Sequence, residues 1–376
     1  MRILVGGDTV PTQRNHSLFQ NGEAVKIVGQ DLLSLIQKHD YFVLNLETPL
    51  ICENTPIKKN GPVLGEGQEA INGYKEMQVD VVSLANNHIF DHGSKGLRNT
   101  LQVLNENGIQ HFGAGFSYAD AIQCHYVTID NIKVGFYSCC ENEFSVFTAE
   151  LGGANGFDAL ETFDHIRCFS EKCDYLIVLY HGGKEEYRYP TPQQRRIMKK
   201  MADCGAKAVI AQHSHCIGCR EDYHGACLIY GQGNFIFDAS ENRCWDNGLL
   251  LSIYIEDNHF EVSEIPIIRE NGCVRKAMDE ESDAILADYH SRSKDILTSG
   301  YVENAFFEKA QSEKVRLLRR MHGDTFFVKV ISKLFPDFLD RIYYSKQKKY
   351  AALNLVRCES HRETLEAVLG SKLSLK

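Results

Sequence analysis

Ser83 to Gly93 reads SLANNHIFDHG, placing two asparagines, a histidine and an aspartate directly after a short apolar run at Val79 to Val82. An asparagine carbonyl oxygen is a neutral, hard ligand for a divalent cation, and a histidine beside it can carry a proton to a reacting oxygen. Asp91, three residues after His88, is spaced to accept from the imidazole and fix its tautomer. The plainer use of the same residues is a polar turn in which Asn and Asp tolerate left-handed backbone. Other stretches carry the same chemistry. RILVGGDT delivers Asp8 through a Gly-Gly turn, and YFVLNLETPL delivers Asn45 and Glu47. DYLIVLYHGGKEEY ends in His181 with Glu185 four residues on, AKAVIAQHSHC ends in His213 and His215, and CLIYGQGNFIFD carries Asn234 past two glycines. Each apolar run predicts a buried strand. In open α/β sheets a site forms outside the carboxyl ends of the strands, where these side chains converge. Carboxylates, imidazoles and an Asn amide suit Zn, Mn or Fe rather than an ion that prefers thiolate.

Helices must connect these strands. Gln30 to Lys38 and Gly67 to Met77 predict short ones, and Ser94 to Asn107 carries Leu97, Leu101 and Leu104 at helical spacing with Gly108 as its stop. Phe157 to Cys173 predicts a helix ahead of the His181 strand. Thr191-Pro192 supplies an N-cap and first residue for the helix holding Ile197, Met201 and Ala202. HYVTIDNIKVGFYSCC alternates about Asp130-Asn131 as a hairpin, and Leu249 to Ile255 with Phe260 to Ile267 predicts a second, turning at Asp257-Asn258. The pattern predicts an α/β domain over residues 1–270, with two mixed sheets flanked by helices. Residues 280–376 show no strand pattern and predict a helical C-terminal extension, with Arg319-Arg320 and Lys348-Lys349 beside apolar positions. Such helices either pack on the first domain or form a docking surface for a partner or an anionic substrate tail.

Composition sets further bounds. At 376 residues, 43% hydrophobic and 24% charged, the chain reads as a soluble globular protein able to bury a sizeable core. Met1-Arg2 runs straight into a strand without an apolar leader, and no apolar run approaches the ~18 residues of a membrane span. A cytoplasmic protein without a transmembrane segment is expected. Thirteen cysteines, an odd number scattered through core strands, predict free thiols in a reducing compartment. Cys216 and Cys219 form a C-x-x-C, but its place directly after the HSH turn predicts incidental thiols rather than a redox pair. Residues 280–376 carry 17 Lys+Arg against 14 Asp+Glu, and the remainder 24 against 36. So acidic a body argues against nucleic-acid binding, which needs a basic face.

The set GGDT, NLE, LANNHIFDHG, HGGKE, HSH and YGQGNFIFD, in this order from Met1 to about Asp238 and more weakly to about Ile268, resembles the CapA or poly-γ-glutamate capsule-synthesis family. That resemblance implies a metallophosphoesterase-like sandwich (α/β/β/α) and a site for two divalent ions. In that scheme Glu47 bridges the ions, Asp8 and His215 complete one position, and Asn87, His181 and His213 complete the other. His88, oriented by Asp91, protonates the leaving group. Asn45 and Asn86 orient their neighbours, Glu185 accepts from His181 or meets substrate, and Asn234 touches the site from its turn. Arg188 and Lys184 are the nearest cations for an anionic substrate. Two ions about 3.5–4 Å apart stabilise both oxygens of an in-line phosphoryl displacement. One departure stands out: many metallophosphoesterases carry Asp-x-His in the first motif, whereas this chain has Asp8-Thr9-Val10, leaving one position short of a ligand, more open, or filled only with substrate.

The leading expectation is a metal-dependent hydrolase of an anionic phosphoester, linked to capsule or exopolymer synthesis. A metal-binding accessory protein working with capsule-synthesis partners without turnover, and a hydrolase of an amide-linked polymer, are the alternatives.

Overall fold

Alternation along the strands sorts side chains onto two faces. In the strand Arg2–Val10, Leu4 packs with Phe42, Leu44 and Val82 against Leu32, Ile36, Leu97 and Leu104 of helices. Ile3 and Val5 point the other way, with Val43 and Val81, onto Phe136, Ile177, Leu179 and Ile210 of a second sheet. On the far side of that sheet Leu176, Val178 and Tyr180 meet Ile166, Met198 and Met201 of two more helices. The layers are therefore helix, sheet, sheet, helix, the expected α/β/β/α sandwich.

The computed structural model describes residues 1–256, 259–321, 325–335 and 345–370. An eight-stranded sheet runs Cys273–Lys276, His259–Glu270, Asn247–Glu256, Arg2–Val10, Tyr41–Leu46, Val81–Ser83 and Gln110–Phe112, with Asn234–Phe237 also paired to Arg2–Val10. A six-stranded sheet runs Arg220–Tyr223, Ala226–Ile229, Ala206–Gln212, Tyr175–His181, Ile132–Cys140 and His125–Ile129. The central strands of each sheet are parallel, so their carboxyl ends share an edge. Register sets Asp8 beside Asn45 and Asn45 beside Ser83 in one sheet, and Cys140, His181 and Gln212 side by side in the other. Gly6 and Gly7 make the first strand end possible. The register shifts there, and a Cβ on Gly7 would sit 2.1 Å from the Gly233 carbonyl oxygen.

Local signals mostly hold. Thr191 accepts at 3.0 Å from the Gln194 N–H and Pro192 opens the helix Pro192–Asp203. Thr191→Ala is expected to lower the unfolding free energy by about 1 kcal/mol, read as a lower urea midpoint at unchanged slope. Asp130 and Asn131 both adopt positive φ, 52° and 64°, as a two-residue hairpin turn requires. The helix expected from Phe157 is shorter, Thr162–Ser170, because Asp158 Oδ1 takes the Leu160 N–H and turns the chain first. CLIYGQGNFIFD crosses between sheets: Ala226–Ile229 lies in one and Asn234–Phe237 in the other. The turn expected at Asp257-Asn258 lies outside the described residues, although the strands on either side pair as read.

Two compact units emerge, Met1–Val302 and Glu303–Lys376. The helix Asp279–Asp295 belongs to the first, since Tyr289 is buried in the core between the sheets; the boundary expected at 270–280 falls ahead of it. The described elements of the second unit are helices, including Phe326–Leu334, Lys346–Arg357 and Glu359–Gly370. Among the described residues no helix is long and apolar enough to cross a membrane. All thirteen cysteines are free. Burial pushes the thiols of Cys216 and Cys219 up to about 12, which leaves them poor nucleophiles.

Candidate metal centre

The parallel strand ends bring the ligand-type residues into one buried cluster. Asp8 Oδ1 accepts from Asn45 Nδ2 at 2.7 Å, and Oδ2 from the His213 backbone N–H at 2.9 Å. His181 Nδ1 and His215 Nδ1 stand 3.7 and 3.5 Å from these two oxygens. On the other side, His181 Nε2 lies 3.1 Å from His213 Nδ1, 3.0 Å from Asn87 Oδ1 and 3.4 Å from Glu47 Oε1. Ligands held tetrahedrally at about 2.1 Å from one ion are roughly 3.4 Å apart, so the spacings about His181 Nε2 suit a common cation. Glu47, His181 and His213 form one donor group and Asp8, Glu47 and His215 another, each with its ligand atoms within 4.8 Å of one another. Glu185, His213 and His215 form a third, though Glu185 is exposed.

Glu47 decides whether a cation fits. It is fully buried, and neither carboxylate oxygen has a hydrogen-bond partner. A buried carboxylate with no hydrogen bond and only the His181 imidazole at 3.4 Å beside it is costly, whereas a cation shared with the surrounding nitrogen and oxygen donors compensates it directly. The residues therefore fit a divalent metal.

Backbone geometry aims the HSH turn. His213 and His215 both take positive φ, 83° and 53°, conformations that non-glycine residues seldom adopt and that concentrate at functional sites. His215 is further held by Asn234 Oδ1, 2.9 Å from its Nδ1, and by the Trp245 ring at 4.2 Å between centroids. Asn86 is the pin of the NNH loop. Its amide donates to Leu46 O and Asn45 Oδ1, and its Oδ1 accepts the backbone N–H groups of His88 and Ile89.

Electrostatics follow from this crowding. Burial opposes ionisation of Asp8, but the His215 hydrogen bond and the charges of His181 and His215 prevail and hold the carboxyl at about 2. Burial likewise opposes protonation of His215, yet Glu47 and Asp8 push it up to about 9. His181 rises for the same reason, again against its burial. His213 falls, through burial and the two neighbouring imidazoles. The cluster draws positive charge to the place where its ligand atoms converge.

Beside it stands a buried His–Asp pair. His88 Nδ1 is 2.6 Å from Asp91 Oδ2, and both residues are buried. Next to them lies a residue the sequence reading passed over, Lys59, whose Nζ is 2.5 Å from Asp91 Oδ1. Nothing in TPIKKNG separates Lys59 from the exposed Lys58. Other expectations are redirected. Arg188 turns from the cluster to Asp288, at 2.8 Å, and to the Ile217 carbonyl, so it is engaged within the fold rather than offered to an anion. Glu185 stands 4.0 Å from His213, not beside His181. Asn87 Nδ2 reaches Glu143 at 3.4 Å.

The family model described as bacterial capsule synthesis protein PGA_cap matches residues 2–239. The capsule biosynthesis protein CapA of Bacillus anthracis is 26% identical over 242 residues, covering 61% of this chain and 58% of that protein. The PGA biosynthesis protein CapA of Bacillus subtilis (strain 168) is 26% identical over 240 residues, with 62% and 63% covered. The chain thus spans about six tenths of the length of these curated relatives. A phosphatase of known structure from Mycoplasma pneumoniae aligns over 73% of this chain and 90% of its own at 13% identity, with a TM-score of 0.42.

Proposed function

Because the chain belongs to the bacterial capsule synthesis protein family PGA_cap, we propose that it is a metal-dependent hydrolase of a phosphoester serving capsule or exopolymer synthesis. The observation that carries this reading is the buried, hydrogen-bond-free Glu47 carboxylate set between two donor groups. Glu47, Asn87, His181 and His213 would hold one divalent cation; Asp8, Glu47 and His215 would hold a second. Such cations supply Lewis-acid stabilisation of the charge that develops on phosphoryl oxygens. The chain's own groups do the rest. His88, its Nδ1 engaged by Asp91, presents its other nitrogen as proton donor to the leaving oxygen. Asn45 and Asn86 hold Asp8 and the NNH loop in place.

A second reading, a metal-binding accessory protein without turnover, is favoured by one feature. After Asp8, Thr9 Oγ1 is engaged by the Gly7 carbonyl and Val10 packs with Phe237 and Trp245, so this strand offers the second position no further ligand. Elemental analysis of purified protein, followed by a phosphomonoester and phosphodiester panel with Mn, Zn and Fe, separates the two. Chelator-sensitive turnover supports the hydrolase; bound metal without turnover on any ester supports the accessory role; protein that takes up no metal overturns both.

All proposed ligands lie in Met1–Val302. Removing residues 303–376 is therefore expected to leave metal stoichiometry per chain unchanged in the soluble fraction, measured by elemental analysis. Loss of metal from a truncated protein with native circular dichroism would show the first unit to be insufficient.

A further inference from the structure

We infer that Lys59 is the positioning residue of the proton donor, fixing Asp91 and through it His88; the inference rests on the phosphoester-cleaving reading above. Residues 52–65 wrap over the NNH loop. Thr55 N–H donates to His92 Nδ1 at 3.0 Å, Ile57 N–H to the Asp91 carbonyl at 2.9 Å, and Leu64 N–H to Asp91 Oδ2 at 2.7 Å. This wrapping puts the Lys59 side chain at 2% exposure, with its ammonium 2.5 Å from Asp91 Oδ1, 3.2 Å from the Asn87 carbonyl and 3.3 Å from His88 Nδ1.

A lysine usually keeps its ammonium in water, because burying the charge is costly unless it is paired and hydrogen-bonded. Here all three near neighbours belong to the loop that delivers the proton donor and a proposed ligand. The Asp91 carboxylate, itself fully buried, is divided between them: Oδ1 takes the ammonium, while Oδ2 takes the Leu64 N–H and faces His88 Nδ1. Holding both oxygens fixes the plane of the carboxylate, and that plane fixes the imidazole. The Asn87 carbonyl contact ties the same ammonium to the residue whose side chain stands 3.0 Å from His181 Nε2. In the reaction a water oxygen bonds to phosphorus and gives up a proton to solvent. The leaving oxygen takes the electron pair of the broken P–O bond and a proton from His88, which regains one from solvent. Lys59 and Asp91 begin and end in the same protonation state.

The test compares phosphodiesters with a nitrophenyl and an alkyl leaving group on full-length, metal-loaded protein. A nitrophenolate leaves without a proton, whereas an alkoxide needs one. Lys59→Met is expected to lower kcat on the alkyl ester by about 10–100-fold, to change the nitrophenyl rate little, and to leave KM and metal content unaltered. Lys59→Arg should recover most of the loss. In a His88→Asn background Lys59→Met should add nothing, since a residue acting only through His88 is not additive with it. Equal losses on both esters, or multiplying effects in the double variant, would reduce Lys59 to a fold-stabilising ion pair and overturn the inference. If Lys59→Met does not accumulate as folded protein, Lys59→Gln carries the same comparison. Wild type inactive on every ester overturns the hydrolase reading and this inference together; an active enzyme indifferent to Lys59 overturns the inference alone.

Discussion

Glu47→Gln is expected to weaken both cation positions together, each by more than about 100-fold, the upper range for groups that merely support a ligand. Glu47 follows directly on the strand Tyr41–Leu46, its backbone N–H held at 3.2 Å by the Thr9 carbonyl, so the side chain is delivered by a central strand rather than a free loop. It is the residue common to the donor group with His181 and His213 and the group with Asp8 and His215. A carboxylate between two dications offers an oxygen to each and offsets their mutual repulsion. Glutamine keeps the size but removes the charge and one acceptor oxygen. Asp8→Asn, by contrast, should weaken mainly the position shared with His215. Calorimetric titration of metal into the chelated proteins distinguishes the two patterns. A Glu47→Gln protein that still takes up two ions with wild-type affinity would remove the bridging role, and a wild type that never exceeds one ion would end the two-cation scheme.

Much of this site was readable because ligand-type residues end apolar strands, and parallel strands in register must place such ends side by side. Asp8, Asn45 and His181 needed only that rule. Their supporting contacts needed more. Arg188 looked available because it lies seven residues after His181, but Asp288, a hundred positions further on, claims it. The left-handed backbone of His213 and His215 left little local mark, since histidine, although enriched at positive φ, seldom adopts it without packing that enforces it. Tyr289 sits in a helix whose sequence reads as part of a separate region, yet its ring fills the core between the sheets. Lys59 was hidden for a related reason. Its loop has no periodicity, and only the contacts of Thr55, Ile57 and Leu64 with the Asp91 region distinguish it from its neighbour. Strand ends are set by local pattern; the groups that orient them are set by tertiary closure.

His88→Asn is expected to lower turnover by about 10²–10⁴-fold on a substrate with a poor leaving group, the range for loss of a general acid, with metal content near wild type. The geometry separates His88 from the ligands. It belongs to none of the donor groups, and its Nδ1 is committed to Asp91 Oδ2 at 2.6 Å. Even so, it follows directly on Asn87, whose Oδ1 stands 3.0 Å from His181 Nε2, so it borders the cluster closely enough to serve a reaction there. Asparagine retains a donor of smaller reach but cannot give up a proton, so hydrogen bonding and proton transfer are separated in one substitution. Substrates that leave as stable anions should therefore be cleaved at nearly the wild-type rate, while alkoxide leaving groups bear the full loss. Single-turnover rates on the two ester classes, with metal measured on the same samples, give the comparison. Undiminished cleavage of the alkyl ester would take His88 out of the mechanism. Loss of metal would place it among the ligands, and Asp91 and Lys59 would then be orienting a metal-binding imidazole instead of a proton donor.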